Sequence, residues 1–107
     1  KTVNTGMAAS MGSILLGAGT KGKRSSLRFS TTMLHQSSGG FSGNIQDAAI
    51  DWKEWIKIND TLFALLGEYC DKDPEQVKKD AERDLWLDAN QALEYGIIDF
   101  IVKNNKK

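Results

Sequence analysis

A chain of 107 residues makes one domain with a modest core. Its 14 basic and 14 acidic residues cancel, so no net field favours nucleic acid or an anionic membrane surface. Cys70 is the only cysteine, which excludes an internal disulfide and a cysteine-built zinc site and fits a reducing compartment; no apolar run approaches the roughly 20 residues that span a bilayer. The expectation is a soluble, intracellular chain. Because it begins at Lys1 and runs straight into a strand-like stretch, an upstream part is expected to be missing.

Thr2, Val3 and Thr5 suit a strand, and Met11, Ile14, Leu15 and Leu16 suit a short buried helix closed by Gly17 and Gly19. Ser10 therefore falls where a strand turns into a helix, among the small residues Ala8, Ala9 and Gly12. The pattern small-x-Ser-x-Gly is that of a nucleophile elbow, whose serine lies at a helix N-terminus beside free backbone N–H groups. A serine at such a junction is also a common N-cap, so the stretch alone leaves both roles open.

Gly17, Gly19 and Gly22 spell G-x-G-x-x-G, but they follow a helix, the reverse of the context that aims a helix N-terminus at pyrophosphate. Arg24 stands where a Walker-type loop needs Ser or Thr for magnesium. The segment is expected to be a glycine-rich turn. Ser25 to Leu27 and Thr31 to Leu34 follow as two short strands, the second ending at His35. His35 is the only histidine; if Ser10 is a nucleophile needing an imidazole base, this chain can supply no other. A lone histidine after an apolar strand is also commonly structural.

Gln36 to Gly43 is polar and glycine-rich, fit either for an edge strand that pairs with an extended peptide or for an ordinary hairpin. Asn44 caps a long helix to about Cys70, with Ile45, Ala48, Ala49, Trp52, Trp55, Ile56, Leu62, Phe63, Leu66 and Tyr69 on one face. At about 40 Å it outruns so small a domain, so part of it is expected to project or meet another subunit. Trp52 and Trp55 on that part point the same way. Asp73, Pro74 and Gln76 open a helix to about Arg83 as N-cap, first-turn proline and capping-box partner. Asp88 and Gln91 repeat the device for a helix from Ala89 to Tyr95, ended by Gly96 before a strand from Ile97 to Val102. Lys103 to Lys107 form a polar, basic tail expected to fray. Any third catalytic member is a carboxylate orienting the histidine, and spacing does not choose among nine aspartates and five glutamates. Cys70, Met33 and the tryptophans are expected to serve packing.

Together these residues resemble the proteolytic subunit of the Clp protease (ClpP), a serine peptidase family on the crotonase-like α/β superfold. The resemblance runs over essentially the whole chain. It is carried by Gly6-Met7-Ala8-Ala9-Ser10-Met11-Gly12, Gly19-Thr20-Lys21-Gly22-Lys23-Arg24, Met33-Leu34-His35-Gln36 with Gly39-Gly40, Glu82-Arg83-Asp84, and Ala92-Leu93-Glu94-Tyr95-Gly96-Ile97-Ile98-Asp99. It implies Ser10 as nucleophile, His35 as base, Asp84 as the carboxylate orienting His35, and the backbone N–H of Met11 in the oxyanion hole. It also implies Ser38, Gly39 and Gly40 as the rim strand that pairs with substrate. Residues 1–107 would be a single peptidase domain lacking its N-terminal part, with 39–70 as a handle and 1–38 with 71–107 as a head. The handle would stack two seven-membered rings of identical subunits, served by a separate AAA+ unfoldase of the ClpX, ClpA or ClpC kind that delivers unfolded polypeptide. The setting implied is a bacterial cytoplasm or an organelle matrix. Neither a cofactor nor a metal is implied. One oxyanion donor, a glycine, would lie in the missing part, so the 107-residue piece alone is expected to be inactive.

The sequence departs from the family pattern twice. Ser37 and Ser38 follow His35-Gln36 where the family has a proline, and a proline is absent near Arg28. Two rival functions accompany the peptidase: a ring-building structural subunit without catalysis, and an acyl-CoA enzyme on the same superfold. The former has to explain why Ser10, His35 and Asp84 are all present, and the latter leaves the serine and histidine without a role.

Overall fold

Runs of three or four β-branched, small and aliphatic residues, broken by Gly, Asn or Ser, can make only short strands, and the helices must connect them. The computed structural model describes residues 1–35 and 45–103. In chain order these hold β1 (Thr2–Asn4), β2 (Met7–Ala9), α1 (Met11–Gly17), β3 (Arg24–Leu27), β4 (Thr31–Leu34), α2 (Ile45–Cys70), α3 (Pro74–Asp80), β5 (Leu85–Leu87), α4 (Ala89–Tyr95) and β6 (Phe100–Val102). The fold is α/β.

The strands form two three-stranded sheets. One, in the order β1-β3-β6, is parallel throughout. The other, β2-β4-β5, pairs β2 with β4 in parallel and β4 with β5 antiparallel. Because β1 pairs with β3 and β2 with β4, the chain bends at matching places on both partners, and side chains take over where the ladder breaks. Asn4 Nδ2 donates to the Thr31 carbonyl at 2.8 Å, Ser30 Oγ to the Asn4 carbonyl at 2.8 Å, and the Thr31 amide to the Gly6 carbonyl at 2.9 Å.

Leu16, Leu34, Phe63, Leu66, Val77, Leu87, Ile97 and Ile98 fill the core between the sheets and the helices α1 to α4. Each such side chain contributes about 1.5–3 kcal/mol on leaving water. The C-terminal half of α2 carries its share of them. The described side chains of the other half, from Ala49 on, are not among the core residues: Ile50 is 65% exposed and Trp52 49%. Trp52 stacks on Trp55 with ring centroids 5.0 Å apart, a contact within the helix itself. Trp86 is also half-exposed, so Trp52 and Trp86 stand largely outside the core, whereas Cys70 is buried and Met33 and Trp55 are partly buried.

The glycine-rich turn has an internal use. The Gly22 amide, with φ at 88°, and the Arg24 amide both donate to Asp99 Oδ2, at 2.8 and 3.1 Å. The Arg24 guanidinium completes the clasp through Nε to Oδ2 at 2.9 Å and Nη2 to Oδ1 at 2.7 Å, and its Nη1 reaches the carbonyls of Gly17 and Tyr69. Amides that a phosphate-binding loop would offer to a ligand are thus given to a carboxylate of the same chain. Hydrogen bonding from the Arg24 side chain holds the Asp99 carboxyl far below the usual carboxylate range.

Several elements differ from their sequence expectation. Met7–Ala9 and Leu85–Leu87 are strands that their three residues do not announce; each exists through its pairing with β4. The last strand starts at Phe100, because Ile97 and Ile98 are apolar for burial in the core and lie in the turn after α4. α3 stops at Asp80, where buried Ala81 leaves helical geometry, and Gln76 bonds Asp80 at 2.8 Å while Asp73 alone caps the helix through the Glu75 amide. The capping box of Asp88 and Gln91 and the left-handed Gly96 are present as expected. Asn44, the peptide-pairing stretch with Ser38, Gly39 and Gly40, and the tail from Asn104 lie outside the described residues.

Candidate active site

β2 ends at Ala9 and α1 begins at Met11, leaving one residue to turn the chain. That residue is Ser10. Its amide continues the ladder, donating to the Met33 carbonyl at 3.0 Å, and its backbone then takes φ 55° and ψ −116°. A non-glycine residue there is strained by about 1–3 kcal/mol, which the surrounding structure must hold in place. Ser13 does part of the holding: its amide and hydroxyl both donate to the Ser10 carbonyl, at 3.1 and 2.5 Å.

An N-cap serine normally turns its oxygen back onto the amides of the first helical turn. Ser10 makes no such bond. Its Oγ is hydrogen-bonded instead to Nε2 of His35. The sheet explains the meeting, since the β2–β4 register sets Ala9 beside Met33, and His35 directly follows β4. Donation by Ser10 requires the His35 tautomer that carries its proton on Nδ1 and leaves Nε2 as the acceptor.

Asp84 precedes β5 and is exposed. The antiparallel register pairs Leu34 with Leu85, the chain neighbours of His35 and Asp84. Met11 supplies the first helical amide of α1, a group with no intrahelical acceptor. Its side chain is 57% exposed.

A cavity of about 280 Å³ opens beside the serine, lined by Ser10, Met11, His35, Ile14, Leu62, Phe63 and Leu66 together with Ser13 and Asn59. Leu62, Phe63 and Leu66 lie on the apolar face that the periodicity of α2 predicts, and nothing in that periodicity connects the face to Ser10. Asn59 was missed. The available signal was a polar residue at i, where i+3, i+4 and i+7 are all apolar. Among the described residues, no group of three or more His, Cys, Asp and Glu is placed to hold a metal ion, and no helix is long and apolar enough to cross a membrane.

A strained serine between strand and helix, with an imidazole on its hydroxyl and a pocket at its side, is the layout met in serine hydrolases. Comparison with known proteins narrows this class. The Clp protease family matches residues 1–105. Over 106 residues the chain is 47% identical to the ATP-dependent Clp protease proteolytic subunit of Porphyromonas gingivalis, covering 99% of this chain and 48% of that protein. It is 46% identical over 101 residues to proteolytic subunit 1 of Prochlorococcus marinus, covering 94% of this chain and 52% of that one. Against the Deinococcus radiodurans subunit it is 42% identical over 106 residues, covering 99% and 52%. The chain belongs to the Clp protease family, and it spans about half the length of these relatives.

Proposed function

We propose that this chain is the catalytic part of a serine endopeptidase subunit in a self-compartmentalised, ATP-dependent protease, which cuts unfolded polypeptide into short peptides. The observation that carries the reading is the Ser10–His35 hydrogen bond at a strained strand-to-helix junction. A capping serine would have spent its oxygen on α1, and a packing histidine would have no need of Ser10.

In the mechanism, His35 Nε2 takes the hydroxyl proton as Ser10 Oγ attacks the carbonyl carbon of a peptide bond. The negative charge moves to the carbonyl oxygen, where the Met11 N–H donates to it. Collapse of the tetrahedral intermediate breaks the C–N bond, and His35 returns the proton to the departing amine. Water, activated by the same ring, then attacks the acyl-serine and frees the second product. Asp84, the residue before the Leu85 that pairs with Leu34, accepts from Nδ1–H and so keeps Nε2 as the basic nitrogen. The side chain preceding the scissile bond enters the cavity walled by Ile14, Leu62, Phe63 and Leu66, while Ser38, Gly39 and Gly40 pair with the substrate backbone.

The wider assembly belongs to the same proposal. On the crotonase-like superfold, α2 with its lead-in is the handle (39–70) between two seven-membered rings, and 1–38 with 71–107 form the head. The exposed Ile50 and Trp52 on the N-terminal half of α2 support this, because a free apolar helix face is costly in water. A separate AAA+ unfoldase feeds the chamber, in the cytoplasm. The names of the relatives support ATP dependence and the role of proteolytic subunit.

The test is peptide hydrolysis by the full-length, assembled subunit and by its Ser10→Ala and His35→Ala variants. Each variant is expected to lose about four or more orders of magnitude in kcat/KM. Retained hydrolysis in both would reject the peptidase mechanism; a wild type that assembles into rings but never cleaves would leave a structural subunit.

A further inference from the structure

We propose that Asn59 makes the cavity beside Ser10 favour side chains that end in a hydrogen-bonding group, glutamine foremost, over aliphatic chains of the same length. The inference rests on the peptidase reading and names the substrate class of its pocket.

An apolar wall of Ile14, Leu62, Phe63 and Leu66 attracts aliphatic side chains in proportion to the area they bury. Such a wall penalises a glutamine, whose amide would leave water without a partner there. Asn59 changes the wall. It is only 5% exposed, it lines this cavity, and it lies on α2 one helical turn ahead of Leu62 and Phe63. A carboxamide has two donor hydrogens and two acceptor lone pairs. It can therefore exchange hydrogen bonds with a second carboxamide in a way that no hydrocarbon can answer. Its place in a long helix, rather than on a loop, fixes it relative to Ser10, which is what discrimination between side chains of equal length requires. A site built to hydrogen-bond its substrate discriminates more sharply than one that only measures size.

The experiment uses the assembled full-length subunit and two fluorogenic peptides that differ only in glutamine or methionine before the scissile bond. The readout is the Gln-to-Met ratio of kcat/KM. Both peptides meet the same enzyme, so the ratio does not depend on how much of it has folded. Wild type is expected to cleave the glutamine peptide at least as fast as the methionine peptide, and Asn59→Leu is expected to lower the ratio about tenfold. A ratio within twofold of wild type in Asn59→Leu, or a wild type that prefers methionine tenfold, would overturn the inference. The wild-type arm stands even if the variant fails to assemble. Labelling of Ser10 by a serine-reactive phosphonate separates the two failures. Labelled Ser10 with an unchanged ratio overturns the role of Asn59 alone; no labelling and no cleavage overturns the peptidase reading and this inference with it.

Discussion

Two polar clusters sit on the two different sheets and are built on opposite plans. At the start of β3, Arg24 and Asp99 are closed on each other: the guanidinium side chain is 2% exposed, and the carboxylate takes up two backbone amides besides. Near the end of β4, Ser10 and His35 stay half-exposed beside a cavity, on a backbone held away from its preferred geometry. The first arrangement consumes its hydrogen-bonding capacity to tie the turn after α1 to the chain before β6. The second keeps a hydroxyl and an imidazole where another molecule can reach them. Polar groups that hold a fold are satisfied internally, and polar groups that react are supported from behind and left open in front.

Substitutions should separate the two plans. The largest effect after loss of Ser10 or His35 is expected from Asp84→Asn, which leaves the shape intact but removes the negative charge of the proposed partner of Nδ1–H and puts a donor in its place. Peptide hydrolysis should fall by about three orders of magnitude with little change in thermal stability. Unchanged kcat/KM would remove Asp84 from the proposed triad.

Asp99→Asn is expected to act the other way, costing about 3 kcal/mol of stability by leaving Arg24 buried without its counter-charge. Chemical denaturation of variant and wild type measures it. The pH dependence follows with a definite sign. The folded pKa of Asp99 is depressed, so its stabilisation is present above the unfolded carboxyl value of about 3.9 and is lost as pH falls below that toward the folded value. Asp99→Asn should flatten that acid limb, and an unaltered limb would mean that other carboxylates govern it.

A smaller, opposite shift is expected from Ser10→Gly. Glycine accepts φ 55° without strain, so the variant should be more stable by about 1 kcal/mol while losing hydrolysis altogether. A less stable Ser10→Gly would show that the serine is held for the fold. That result would erase the contrast between the clusters.

What the sequence made legible followed from signals that act locally. Caps are local: Asp73, Asp88 with Gln91, and Gly96 mark their helix ends as expected, because each bond spans no more than a few residues. The long periodic face of α2 and the strand-to-helix junction at Ser10 were legible for the same reason. The strands Met7–Ala9 and Leu85–Leu87 were not, since three residues carry no alternation and their existence depends on β4, far along the chain. Ile97 and Ile98 misled, because residues buried in a turn have the same composition as a buried strand. In the site, Ser10 and His35 could be named from residue chemistry, whereas spacing did not choose Asp84 among the carboxylates; the sheet pairs its neighbour Leu85 with Leu34, the residue before His35. Asn59 joins them only in three dimensions, where the polar exception on an apolar helix face becomes part of the cavity wall.

The most direct measurement is the intact mass of the full-length protein after treatment with a serine-reactive phosphonate, alongside Ser10→Ala and His35→Ala. One adduct on wild type that disappears in both variants is the predicted result, since the hydroxyl reacts only when the imidazole takes its proton. No adduct on an assembled ring, or an adduct that survives the loss of His35, would contradict a working Ser10–His35 pair.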